Sequence, residues 1–209
     1  MTENEIVAKV RAIMNEAGEE ESLTLLSEDN IKLDTYIKSS IPDAVSIVAL
    51  NSPVKGVNVK EHSNAKLIIS TDGNSGTVDI PSDFILLRGL KISSWKRIIS
   101  ELKSISSEEY KYIGSGYQIA GLNHPMCFES WDSDGKVIEF YAKGMKTEDV
   151  ISVYKYEAQY KSSDGLKLDS GDSLAQAVCY MTASLVYAIF ENYNTSKSMQ
   201  ETAINLIPK

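Results

Sequence analysis

Sulfur and imidazole are scarce in this chain: its 209 residues include two cysteines, Cys127 and Cys179, and two histidines, His62 and His124. Two isolated thiols make no disulfide framework, so the sequence predicts reduced, unbonded cysteines and fits a reducing, cytoplasmic setting. A metal site needs clustered His, Cys and carboxylates. The nearest approach, "HPMC" at 124–127, has no second pair and reads as the entry to a strand with a buried thiol. Asp132 and Asp134 are followed too early by Gly135 and lack the distal glutamate of a calcium loop, so they read as a hairpin turn. Ser115 in "GSGY" lacks the five-residue frame of a nucleophile elbow, and neither a phosphate-binding glycine loop nor a dinucleotide fingerprint occurs. No catalytic residue, cofactor or metal is expected, and the chain does not read as an enzyme.

Positive charge is also in short supply. Lys and Arg number 21 against 29 Asp and Glu, for a net charge of −8 and a pI near 4.9. A protein that grips DNA concentrates cations to displace phosphate counterions, so direct nucleic-acid binding is disfavoured. An acidic wall can still face DNA where sliding is needed. Long apolar runs are missing too. The stretch from Ala177 to Phe190 is nearly all apolar but shorter than the ~20 residues a bilayer requires, and it reads as a buried helix. The opening "MTENEIVAKVRAIMNEAGEEE" is charged throughout, without the apolar centre of a signal peptide. Internal repeats and low-complexity tracts are absent, and apolar and charged fractions of 43% and 24% describe an ordinary soluble globular chain.

What is present falls into three blocks. Residues 2–17 place Ile6, Val7, Val10, Ile13, Met14 and Ala17 at helical spacing behind Thr2 as N-cap, until Gly18 and "EEES" break the pattern. Ser27 can cap a second helix through Leu33 and Ile37. Pro42 either kinks that helix or starts a third, the favoured reading, with Ile41, Ala44, Val45 and Val48 as its apolar face and an end before Pro53. From Ala65 to about Gln159, six β-rich runs ("KLIIST", "GTVDI", "LLRGLKI", "MCFESW", "KVIEFYA", "VISVYKYEA") are separated by turn signals, "DGNSG" and "DSDG" among them. "SSEEYKYIG" reads as a short helix between them. Residues 170–193 return to helix behind Asp172, apolar nearly all round and so buried on several sides, and a last helix runs from Thr195 to about Ile207. The expected fold is α+β: residues 1–55 and 168–209 form one helical bundle, and 56–167 are an inserted, β-rich, antiparallel domain.

One stretch, "VDIPSDFILLRGLKISSWKR" at 78–97, stands out. Pro81 cannot continue a ladder, so the strand before it ends there, and Ser82 or Asp83 can cap a single helical turn carrying Phe84. In the strand that follows, Leu86, Arg88, Leu90 and Ile92 share one face. A guanidinium on an apolar face needs a partner, and the nearest is Asp83, giving a salt bridge between turn and strand; a contact between subunits is the other reading. Trp95, followed by Lys96 and Arg97, reads as a core or interface anchor flanked by two cations.

Together with "LDTYIKSSIPDAVSIVALNSP", "HPMCFESWDSDGKVIEFY" and "AVCYMTASLVYAIFENYN", this stretch resembles the head-to-tail connector (adaptor) proteins of tailed bacteriophages, with similarity to the neck rings of crAss-like Bacteroides phages. The resemblance spans most of residues 29–195, and its most specific part is the Pro-x-Asp-Phe-x-x-Leu-Arg core with the Trp-Lys-Arg that follows. It implies a helical bundle with a β insertion and no catalysis. It further implies a homo-oligomeric ring of about twelve copies, made in the host cytoplasm and built into the virion neck. The implied partners are the portal protein and other neck or tail rings, with DNA passing through unbound. Another virion ring or a tail-tube terminator stays open, as does a small hydrolase using His124 or Ser115.

Overall fold

The computed structural model describes residues 1–17, 27–52, 56–113, 120–133, 135–166 and 171–208. In chain order its elements are α1 (Glu3–Ala17), α2 (Ser27–Asn51), β1 (Val59–Glu61), β2 (Leu67–Ile69), β3 (Ser75–Asp79), β4 (Phe84–Ile92), β5 (Lys103–Ser104), α3 (Glu108–Tyr112), β6 (Met126–Asp132), β7 (Gly135–Tyr141), β8 (Ile151–Ala158), α4 (Gly171–Ile189) and α5 (Tyr193–Leu206). The fold is α+β, with N- and C-terminal helices and an inserted β region. The chain divides into two compact units, Met1–Val59 with Ala158–Lys209, and Lys60–Glu157.

In the helical unit, α1 starts with a reciprocal cap. Thr2 Oγ1 accepts from the Glu5 N–H at 3.3 Å and Glu5 Oε2 accepts from the Thr2 N–H at 2.7 Å. Those bonds hold the Glu5 carboxyl below its ordinary range. Ile6, Val7, Val10 and Met14 then turn inward. The third helix expected at Pro42 does not exist, because α2 runs straight through that residue. A proline inside a helix forfeits one backbone hydrogen bond and crowds the carbonyl four residues earlier, costing ~3 kcal/mol. The buried stripe Leu33, Ile37, Ile41, Ala44, Val45 and Val48 continues across it and outweighs that cost.

α4 is the central helix, packed against α1, α2 and α5. Leu174, Ala177, Val178, Met181, Ala183 and Val186 are buried on its several sides, and Tyr187 donates to the Met14 carbonyl at 3.0 Å. The bundle covers this helix more fully than its all-round apolarity suggests. Surplus apolar surface is confined to its end, where Ile189 and Phe190 are half exposed beside Tyr193. The end itself comes at Ile189, before the expected residue 193. Glu191 takes a left-handed φ of 61°, the Asn192 N–H bonds the Tyr187 carbonyl, and the Glu191 N–H bonds that of Ala188. This Schellman closure is made without glycine. Asn192 then caps α5, accepting from the Thr195 N–H at 3.3 Å. The Asn58 and Ala158 backbones meet where the chain leaves and rejoins this unit: Ala158 N–H donates to Asn58 O at 3.0 Å and the Asn58 amide returns a bond to Ala158 O at 3.0 Å.

The other unit holds two sheets, ordered β2-β3-β7-β6-β5 and β1-β8-β4. The two predicted hairpins are there. β2 and β3 pair antiparallel with Ile69 opposite Gly76, and the Asp72 carboxylate caps the turn through the Asn74 N–H at 3.1 Å. At its tip Gly73 has φ 65°, and an added Cβ would lie 2.6 Å from the Met145 carbonyl oxygen, so only glycine fits. β6 and β7 close with Asp132 opposite Gly135, whose N–H bonds Asp132 Oδ1 at 3.0 Å. The all-antiparallel expectation is corrected at one point: β5 runs parallel to β6. That strand and β1, two and three residues of Lys, Ser, Val and Glu, carry too little pattern to be read. α3 lies where a short helix is expected, capped by Ser107. Gly18 and "EEES", Pro53, the "GSGY" segment and Asp134 lie outside the described residues, as do the side chains of Ser27 and Asp172.

Candidate functional site

The Pro81–Phe84 segment is a β-turn, corrected from the helical turn expected there: the Phe84 N–H bonds the Pro81 carbonyl at 3.1 Å and Phe84 opens β4. Pro81 does mark a strand end, since β3 stops at Asp79. The turn points Asp83 inward, where its carboxylate accepts from Lys60 Nζ and from the Tyr156 hydroxyl, each at 3.0 Å. Phe84 stacks on Tyr156, centroids 5.9 Å apart and planes 19° from parallel. Burial first, then the bond to Asp83, pushes the Tyr156 phenol up to about 12. Beside it His62 Nε2 lies 3.0 Å from Asp79 Oδ2, with its ring edge-on to Tyr154 at 5.3 Å. The Tyr154 hydroxyl donates to the Asp79 carbonyl at 3.1 Å.

Arg88, whose expected partner is Asp83, donates from Nε to Glu157 Oε1 at 2.8 Å, and Glu157 is fully buried. Asp83 is already held by Lys60 and Tyr156, and Glu157 is the carboxylate buried beside β4. The kind of interaction expected, a structural salt bridge, is present with a different partner.

Trp95 is a core anchor, 1% exposed and edge-on to Phe140 at 5.5 Å, whereas Lys96 and Arg97 are exposed. Arg97 lines a cleft of about 320 Å³ with Glu101, Lys103, His124 and Cys127. Burial pushes the Cys127 thiol up to about 12, so it is protonated and a poor nucleophile at neutral pH. Among the described residues no three His, Cys, Asp or Glu side chains gather to hold a metal ion, and Ser115 lies outside them.

The structure thus brings Pro81, Asp83 and Phe84 together in one corner with Lys60, His62 and Tyr156. Arg88 and Trp95 are secured elsewhere in the same unit, and Lys96 and Arg97 face solvent. Asp83 and Arg88 are used in internal pairing, and Arg97 is the motif residue that lines the 320 Å³ cleft. Lys60, Tyr156 and Glu157 are the partners that sequence reading missed. Tyr156 and Glu157 do fall in the strand-like run "VISVYKYEA", but nothing in it assigns them partners. Compared with known proteins, the chain matches no protein-family model and no curated protein.

Proposed function

We propose that the chain is a virion structural protein, a head–tail connector (adaptor) ring subunit that binds below the portal of a tailed bacteriophage and forms part of the DNA conduit. The observation that carries this reading is the architecture: a β unit spliced between α2 and α4 of a helical bundle, the arrangement implied by the resemblance of residues 78–97 and their flanks. The residues of that stretch support it by their use. Asp83, Arg88 and Trp95 build the β unit from within, as a scaffold component requires. The half-exposed Ile189, Phe190 and Tyr193 give the helical unit an apolar edge for a neighbouring subunit. A net charge of −8 suits a channel wall that repels DNA.

On this reading the free protein is a monomer or small oligomer, and it closes into a ring of about twelve copies, matching the portal's symmetry, only on the portal. Light scattering of the purified chain with and without a portal ring, followed by cryo-electron microscopy of the particle neck, tests it. A closed ring on the particle axis is the expected result. Density for the chain in the capsid shell, in tail fibres or as a single copy off the axis overturns it, and a ring farther down the tail converts it to the terminator reading.

A further inference from the structure

The cleft of about 320 Å³ in the β unit is lined by residues 97–101 with Lys103, and by residues 124–127. Its buried lining is apolar: Ile99, Pro125 and Cys127. Both segments are fastened through the backbone. Ile99 exchanges bonds of 2.7 and 2.9 Å with Leu90, Lys103 is in register with Phe128, and the His124 N–H bonds the Gly121 carbonyl at 2.9 Å. The exposed lining carries charge that the fold does not use. Arg97, Glu101 and His124 are exposed, and among the described residues their side chains take part in no hydrogen bond or ion pair. Lys103, by contrast, is held by Glu109 at 2.6 Å. Arg97 and Glu101 are thus opposite charges on one cleft that do not pair with each other, whereas Lys136 pairs with Glu129 and Lys155 with Glu61 in the same unit.

The chemistry of the three surfaces narrows the occupant. A guanidinium grips a carboxylate through two parallel bonds, and a carboxylate such as Glu101 takes an ammonium. The apolar lining favours a hydrocarbon group. The volume stands at the lower end of the roughly 300–1,000 Å³ of small-molecule sites, which a few placed polar groups orient. Glu101 repels a dianion such as phosphate, so a cation alone does not define the site. We propose that this cleft binds a small zwitterion, an α-amino acid with an apolar side chain. Its carboxylate lies on Arg97 with His124 beside it, its ammonium on Glu101, and its side chain against Ile99, Pro125 and Cys127. The inference uses this cleft alone and is independent of the connector reading.

The test is chemical-shift titration of the full chain with four probes: L-leucine, isovalerate, which keeps the carboxylate alone, isoamylamine, which keeps the amine alone, and inorganic phosphate. Leucine is expected to saturate with a Kd on the order of 1 mM, shifting the amides of residues 97–101 and the His124 imidazole. Isovalerate and isoamylamine should each bind about tenfold more weakly, the cost of one lost charged contact. Arg97→Gln should weaken leucine about tenfold without weakening isoamylamine, and Glu101→Gln should weaken leucine equally without weakening isovalerate. Both side chains are exposed and unpaired, so both variants should keep the wild-type circular dichroism spectrum. Failure of leucine to saturate below about 10 mM, shifts confined to another part of the surface, isovalerate or phosphate binding as tightly as leucine, or indifference to either substitution overturns the proposal.

Discussion

Arg88 Nε donates to Oε1 of the wholly buried Glu157 at 2.8 Å, across 69 residues of sequence. A carboxylate taken fully out of water is tolerable only with such a partner. Arg88→Ala is therefore expected to destabilise the protein by about 3–5 kcal/mol, read as a lower urea midpoint. A double replacement, Arg88→Met with Glu157→Leu, should recover most of that loss, because it removes the buried carboxylate as well. Equal losses in the single and double variants would show that packing, not charge, sets the cost.

Pro42 separates two descriptions of the helical unit. Inside a continuous α2 it obstructs a backbone bond, so Pro42→Ala should raise stability by about 1–3 kcal/mol. At the first position of a separate helix the same change would be neutral or harmful. Thermal unfolding of the two proteins distinguishes them.

Glu191 ends α4 in a conformation that costs an L-residue roughly 1 kcal/mol and glycine nearly nothing. Glu191→Gly should stabilise the chain by about that amount, and Glu191→Val should lower the unfolding midpoint.

Within the Trp-Lys-Arg triplet the structure assigns unequal roles. Trp95→Ala should cost about 3–5 kcal/mol as a large buried ring is lost. Lys96→Ala and Arg97→Ala should each stay within about 0.5 kcal/mol. Chemical denaturation of the three variants checks the split.

Alkaline pH should weaken the fold. Burial raises the Cys127 and Cys179 thiols to about 12 and about 11, the Tyr156 phenol to about 12, and the Tyr154 phenol further. The unfolded chain sheds those protons near 9 for thiols and near 10 for phenols. A native state that keeps protons the unfolded state has lost is penalised as pH rises. Stability should accordingly be flat with respect to these groups below pH 9 and fall from there toward 12. Urea midpoints at pH 8 and pH 10.5 test the sign. The same burial predicts that neither thiol reacts with a disulfide reagent until the chain is unfolded.

Local chemistry was readable wherever it acts over a few residues. Ile6, Val10 and Met14 announce α1 by spacing, and Asp72–Gly76 announce a hairpin because only certain residues tolerate its turn. The α+β plan followed from those pieces. Partners across long separations were hidden, since nothing in "LLRGLKI" points 69 residues onward to Glu157, and Asp83 was favoured merely for being near. Pro42 misled because the tertiary burial of Ile37, Ile41 and Val45 overrides a local breaker. Glu191 gave no sign because its left-handed turn is imposed by the Schellman bonds around it. At the candidate site the surroundings of Asp83 and Phe84 depended on Lys60 and Tyr156, which approach from other strands.

The meeting of Asn58 and Ala158 has a consequence for synthesis on the ribosome. Everything the β unit needs lies between residues 60 and 157, so it can complete its contacts while the chain is still being made. α1 and α2 emerge earlier but must wait, stripes uncovered, until α4 arrives more than a hundred residues later to fill the space between them. The insertion is therefore expected to fold before the unit that hosts it, and a nascent chain halted near residue 160 to carry finished sheets tethered to two helices that still lack α4.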